Sequence, residues 1–141
     1  MKKRIWKKLV ALGLALTLFL SYGNVTTLAA SSVSGNVDGM TVSGSVSMDS
    51  SSATAVTSYA RGGGTIYATA TVYYWWGLDC YEISVGPNTA SAGGVSAKAT
   101  KAHGGGEVVA GKGTHKLVWG AYTWRPADTV VGTIPSYTIK Y

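Results

Sequence analysis

The sequence predicts an all-β protein, a small antiparallel β-sandwich of about seven or eight short strands that follows a cleaved signal helix. Three observations support this prediction. Apolar and polar residues alternate with a period of two through most of the later chain, Val, Thr, Tyr and Trp outnumber helix-forming residues, and glycine-rich turn signals separate the alternating runs. A small β-barrel is the alternative arrangement of the same strands.

Residues 1–30 are typical of a secretory signal peptide. "MKKRIWKKL" carries five cationic residues and no acid, "VALGLALTLFL" is uncharged, and "SYGNVTTLAASS" is rich in small residues. The apolar run of about 12 residues is short of the roughly 20 that a membrane span needs. We expect cleavage near Ala29, Ala30 or Ser31, export without an integral membrane anchor, and a single mature domain of residues 31–141.

Removal of this leader changes the charge of the protein. The whole chain has 12 Lys and Arg residues against 6 acids, a net charge of +6. Five of the cations lie in the leader, so the mature net charge is (12 − 5) − 6 = +1. A nearly neutral domain is not expected to bind nucleic acid or to lyse membranes by cationic attraction alone.

The mature composition favours strands. Val occurs thirteen times after residue 31, Leu only at Leu78 and Leu117, and Phe is absent, whereas four Trp and eight Tyr remain. Branched and aromatic side chains fit a pleated surface. Residues 31–52 are poor in large side chains, and a less ordered, low-complexity segment is the alternative for this stretch.

The individual strands follow from alternation and turn chemistry. Asp38-Gly39 before "MTVSGSVSM" is a strong hairpin signal. In "TIYATATVYYWW" the face expected in the core consists of Ile66, Ala68, Ala70, Val72, Tyr74 and Trp76. The face expected toward solvent consists of Thr65, Tyr67, Thr69, Thr71, Tyr73 and Trp75. "VSAKATK" sets Val95, Ala97 and Ala99 opposite polar residues in the same way.

The stretch "GGGEVVAGKGTHK" fits the spacing of a phosphate-binding loop. A functional loop of that kind needs a buried strand before it and a helix N-terminus after it. Here the preceding segment is polar, the loop contains a glutamate and two β-branched residues, and the following segment is β-rich. We therefore expect no nucleotide binding. The stretch is predicted to form a strand over 107–110, a turn at Gly111 and Gly113, and a strand over 114–119.

No arrangement of reactive residues indicates catalysis, a metal or a cofactor. Cys80 is the single cysteine, so it has no internal disulfide partner, and burial is the favoured interpretation. His103 is expected in a turn and His115 on a strand face, without metal-ligand spacing. Asp79 and Glu82 lie on opposite faces of a strand, which argues against a pair of catalytic carboxylates. We expect a protein that is not an enzyme.

The aromatic residues are the best candidates for a binding surface. Exposed Tyr and Trp give large contact areas at low entropic cost. The candidate surface consists of Tyr73, Trp75, Tyr122, Trp124 and Arg125. The leading hypothesis is a secreted, non-catalytic module that binds an extracellular protein, a glycan or an envelope component. The alternatives are a bacteriocin or toxin-like effector that acts on the envelope of a neighbouring cell, and a matrix protein that assembles through edge strands.

Overall fold

The computed structural model describes residues 30–141, so the predicted signal peptide lies outside the described residues except for Ala30. The described chain consists of strands and connecting turns and contains no helix, which confirms the all-β prediction. The strands are β1 Ala30–Val37, β2 Met40–Met48, β3 Ser52–Tyr59, β4 Gly64–Trp76, β5 Asp79–Ala90, β6 Gly93–Thr100, β7 Glu107–Trp119, β8 Tyr122–Trp124, β9 Thr129–Gly132 and β10 Ile139–Lys140. Seven of them are long, and β8 to β10 are short additions to the predicted set.

The strands form two sheets that face each other as a sandwich. One sheet has four strands in the order β1-β2-β3-β6, and the other has six, in the order β10-β5-β4-β7-β8, with β9 also paired to β7. All pairs are antiparallel except β10 with β5, which is parallel. Residues 31–48 lie in β1, β2 and their turn, so the stretch of small residues forms one edge of the four-stranded sheet.

The first hairpin shows how the sequence directs local structure. Asp38 and Gly39 both have positive φ, 49° and 78°, between the paired residues Val37 and Met40. Two positive φ values in a two-residue loop match the right-handed twist of the flanking strands. The Asn36 side chain accepts a hydrogen bond of 3.0 Å from the Gly39 backbone N–H, which fixes the turn further.

The core between the sheets is built from small and β-branched residues with two tyrosines. The buried set on β4 confirms the predicted inner face from Ile66 to Tyr74, each residue 0% exposed, whereas Trp76 is 40% exposed and was wrongly predicted as core. The facing sheet contributes the buried residues Val42, Ala53, Ala55, Tyr59, Val95, Ala97 and Ala99, and Leu117 joins them from β7, in the same sheet as β4. Tyr59 donates its hydroxyl proton to the Val37 carbonyl at 3.0 Å, so its polar atom is satisfied.

The outer face of β4 is also partly buried, which contradicts the prediction that Thr71 and Tyr73 face solvent. Each is 3% exposed. Tyr73 belongs to a second small core with Cys80 and Ala110, against which Ile134 packs. Because β9 pairs with β7 and β10 pairs with β5, residues 133–138 cross this face of the six-stranded sheet. We call residues 133–138 the strap, and its long-range pairing leaves no signal in local alternation.

Strand β7 corrects a second prediction. The sequence predicted a turn at Gly111 and Gly113, but β7 runs without interruption from Glu107 to Trp119. These glycines serve close packing. A Cβ at Gly111 would lie 2.9 Å from the Ala53 Cβ, and one at Gly113 would lie 2.7 Å from the Thr129 hydroxyl oxygen. The segment that resembles a phosphate loop is therefore a central strand whose backbone is approached closely by its neighbours.

Candidate functional site

One end of the sandwich gathers most of the exposed aromatic surface. Trp76 pairs with Asp79 across the turn between β4 and β5, and Trp75 pairs with Glu107 at the start of β7. Ser52 pairs with Thr100, so the turn after β2 and the loop of residues 101–106 lie at this end as well. We call this region the aromatic end.

A cluster of aromatic rings surrounds His103 at the aromatic end. The ring centroid of His103 lies 4.7 Å from that of Trp76 in a stacked arrangement and 5.6 Å from that of Tyr81. Tyr141 approaches edge-on at 5.8 Å. Tyr74 stacks on Tyr81 at 5.8 Å and places its hydroxyl oxygen 3.0 Å from His103 Nδ1. We call these five residues the aromatic cluster.

Hydrogen bonds hold the loop that carries His103. The Ala102 N–H donates to the Tyr74 hydroxyl oxygen at 3.3 Å, and the same oxygen is hydrogen-bonded to His103 Nδ1 at 3.0 Å. Burial raises the pKa of Tyr74, which favours the neutral phenol. The Lys101 N–H donates to the Ser51 carbonyl at 2.9 Å, and the Lys101 ammonium donates to the Gly106 carbonyl.

Two features of the backbone shape this end. A register shift between Tyr73 and Tyr74 leaves Val109 as an extra residue on β7, and such bulges bend a strand and redirect side chains. A Cβ at Gly106 would lie 2.3 Å from the Trp75 carbonyl oxygen, so only glycine fits there. The loop of residues 101–106 can therefore lie directly against the end of β4.

The aromatic end exposes four large apolar side chains. Trp75 and Trp76 are each 40% exposed, Tyr141 is 73% exposed and Leu78, at the tip of the turn, is 96% exposed. Beside them, a cleft of about 590 Å³ opens between the turn after β2 and the loop of residues 101–106. Polar lining residues of this cleft include Asp49, Ser50, Ser51, Lys101 and Glu107.

The aromatic end is acidic. It carries Asp49, Asp79, Glu82 and Glu107, which are four of the 6 acids in the whole sequence. Its cations are Lys101 and Lys140, so its net charge is 2 − 4 = −2. The Asp49 carboxylate accepts hydrogen bonds from the backbone N–H groups of Ser51 at 2.7 Å and Ser52 at 2.8 Å. The hydrogen bond from the Ser51 backbone N–H contributes most to lowering the pKa of the Asp49 carboxyl group to about 2.

The structure does not bring the sequence-predicted site residues together. Trp75 lies at the aromatic end, Tyr73 is buried beneath the strap, and Tyr122, Trp124 and Arg125 lie at or beyond β8 near the opposite end. Gly64, at the start of β4, pairs with Trp119, which in turn pairs with Tyr122. The rise of an extended strand puts Gly64 and Trp75 roughly 36 Å apart. The predicted single surface is therefore two separate regions.

The opposite end has its own aromatic residues and is basic. Trp119 stacks on Tyr122 at 5.9 Å, and the guanidinium of Arg61 lies 4.5 Å above the Trp119 ring. Arg61 also forms an ion pair with Asp38. On the neighbouring outer surface, the Lys116 ammonium lies 5.1 Å above the Tyr67 ring, and both residues line a shallow groove with Arg125. We call this region the basic end.

Sequence reasoning missed Trp76, Tyr81, His103 and Tyr141 as members of the site. Only Trp76 carried a usable signal, since two consecutive tryptophans at a strand end cannot both enter a core. His103 joins the cluster because the loop of residues 101–106 lies against β4, and Tyr141 joins it because β10 pairs with β5. Both contacts depend on pairings that are distant in sequence.

Two reactive side chains, Cys80 and His115, are buried. Cys80 is 1% exposed, as the favoured interpretation had it, and burial raises the pKa of its thiol. His115 is buried between the sheets. Among residues 30–141, no three His, Cys, Asp or Glu side chains are arranged to hold a metal ion.

Comparison with protein-family models, with curated proteins and with solved structures finds no match to this chain. In the part of the chain that the structure describes, no helix is long and apolar enough to cross a membrane. The fold and the site define a two-sheet β-sandwich with a clustered aromatic surface at one end.

Proposed function

We propose that this protein is an exported, non-catalytic contact module that binds a protein partner in the cell envelope or the extracellular space through its aromatic end. The observation that carries this proposal is the stacking of the half-exposed Trp76 ring on His103, with centroids 4.7 Å apart. Export rests on the basic, apolar and small-residue segments of residues 1–30.

The geometry supports binding because the exposed rings are held before a partner arrives. Trp76 and Tyr141 both contact His103, which is itself anchored to the buried Tyr74. Ordering a flexible side chain at an interface costs about 0.5–1.5 kcal/mol. Rings that are already ordered avoid most of that cost, and Trp and Tyr contribute strongly to binding at interfaces.

The net charge of the aromatic end narrows the class of molecule that it can bind. A surface with a net charge of −2 repels nucleic acid and anionic lipid surfaces and attracts cationic ones. Cationic groups also bind favourably over the faces of exposed Trp and Tyr rings. A protein surface that combines apolar and basic side chains meets both conditions.

The test is retention of the protein by washed cell envelopes of the producing cells. At low protein concentration we expect the wild type to be retained, and the Trp76→Ala/Tyr141→Ala variant to be released into the wash. Tyr137→Ala removes an exposed ring from the strap, away from both ends, and should be retained like the wild type. Equal retention of all three proteins would rule out the aromatic end as the binding surface.

A further inference from the structure

The two ends of the sandwich differ in charge and share exposed apolar residues. The basic end carries Arg61, Lys116 and Arg125 against Asp38, a net charge of 3 − 1 = +2. The aromatic end carries −2, and the middle of the molecule carries Lys98, Lys112 and Asp128, a net charge of +1. These three values sum to the mature charge of +1, so the near neutrality of the domain conceals a strong asymmetry along its length.

The exposed apolar side chains are also concentrated at the two ends of the sandwich. Six of the nine large hydrophobic side chains exposed in the described residues lie at the two ends. Trp75, Trp76, Leu78 and Tyr141 are at the aromatic end, and Met40 and Tyr122 are at the basic end. The other three are Val85 on β5, Val130 on β9 and Tyr137 on the strap. Exposed aromatic residues of this kind are enriched in protein interfaces.

We propose that the aromatic end binds the basic end of a second copy of this chain. The inference rests on the proposed function, since it names the partner of the same contact surface. A second copy is a suitable partner because its basic end is complementary to the aromatic end in charge and in apolar character. The basic end presents cations beside apolar side chains, and an acidic aromatic surface binds such groups favourably. Lys116 over Tyr67 and Arg61 over Trp119 already make such cation–ring contacts within one copy.

The kind of oligomer depends on the symmetry of the contact between the two copies. Two different patches meet, so each bound copy still presents one unoccupied end of each kind. Contacts of this kind propagate into open chains unless the rotation closes a ring. Association runs along the strands, end to end, and not through the edge-strand pairing that the matrix alternative assumed.

The decisive experiment uses two variants, each with the charge of one end reversed. Asp79→Lys/Glu107→Lys reverses charge at the aromatic end, and Lys116→Glu/Arg125→Glu reverses it at the basic end. In sedimentation velocity at low ionic strength we expect concentration-dependent oligomers of the wild type. Each variant alone should associate at least about 100-fold more weakly, since like charges then face each other. In an equimolar mixture both kinds of contact between the two variants again join ends of opposite charge, so association should be restored toward that of the wild type.

Controls keep the result interpretable. Lys98→Glu, on the exposed face of β6, should associate like the wild type, and circular dichroism verifies folding of every variant. Raising the ionic strength from about 0.1 M to about 1 M shortens the Debye length from about 10 Å to about 3 Å and should weaken association of the wild type. This salt titration requires no mutation, so it remains decisive if a reversal variant does not fold.

A wild type that stays monomeric at every concentration, or a mixture that associates no more strongly than either variant alone, would overturn self-association. If Trp76→Ala/Tyr141→Ala still abolishes envelope retention in that case, the contact surface stands and its partner is a different protein. If self-association is observed but envelope retention does not depend on Trp76, self-association stands and envelope binding fails.

Discussion

His115 Nδ1 lies 2.8 Å from the Thr57 hydroxyl oxygen, a buried hydrogen bond that joins the two sheets. Nε2 of the same ring lies 2.8 Å from the Thr129 hydroxyl oxygen on β9. The neutral ring has one N–H donor and one acceptor, so both threonines are satisfied without a charge in the core. The room for the ring comes from Gly44, where a Cβ would lie 2.3 Å from the imidazole.

This arrangement predicts loss of stability in acid. Burial lowers the pKa of His115 below its usual value of 6.5, while the nearby Asp128 acts in the opposite direction. The unfolded state then binds the proton first, so the free energy of unfolding falls as the pH drops below about 6.5, by at most about 1.4 kcal/mol per pH unit. Urea denaturation as a function of pH measures this slope.

His115→Gln is the control, because it removes the titrating ring and should flatten the slope in that range. Asp49, with a pKa lowered from 3.8 to about 2, acts in a separate window below about pH 4 and should do so in both proteins. An identical slope in wild type and variant between about pH 6.5 and about pH 4.5 would contradict the assignment to His115.

Gly44→Ala should destabilise the protein by about 1–3 kcal/mol. The added methyl group would overlap the His115 ring, which hydrogen bonds hold on both sides. Gly62→Ala is the matched control, since a Cβ there meets nothing within 4 Å, and its effect should stay within about 0.5 kcal/mol. Thermal denaturation of both variants provides the comparison, and equal melting temperatures would argue against a tightly packed ring.

The sequence predicted the inner faces of the sheets well and the outer face of β4 poorly. Alternation is a local property, so the inward set from Ile66 to Tyr74 follows from adjacent residues alone. Burial of Tyr73 involves the strap, whose Ile134 packs against the Tyr73 cluster and whose position depends on pairing of β10 with β5. The aromatic cluster depends on the same pairing through Tyr141. Contacts between distant strands therefore account for most of the differences between prediction and structure.

Thr71→Lys should destabilise the protein by about 3 kcal/mol or more. Thr71 is 3% exposed and its hydroxyl lies 2.8 Å from the Ser84 hydroxyl, so lysine would bury a charge and break that hydrogen bond. Thr69→Lys, at a half-buried position on the same face, should be much milder. Chemical denaturation measures the free energy of unfolding of both variants. Similar losses of stability would mean that Thr69 tolerates a lysine no better than Thr71 does.

Gly105→Ala tests whether the fixed position of Trp76 matters for binding. A Cβ at Gly105 would lie 2.9 Å from Cζ3 of Trp76, at the far end of that side chain, so the ring can turn away without unfolding the domain. Turning away breaks the stack on His103 that holds the ring in place. We expect near-wild-type thermal stability, altered tryptophan fluorescence, and at least about tenfold weaker envelope retention and self-association, because the ring must then be ordered again on binding.

Gly104→Ala is the matched control in the same loop, since its Cβ meets nothing within 4 Å, and it should bind like the wild type. Full binding by Gly105→Ala, with the fluorescence change present, would show that the stacked orientation of Trp76 is not what the partner recognises.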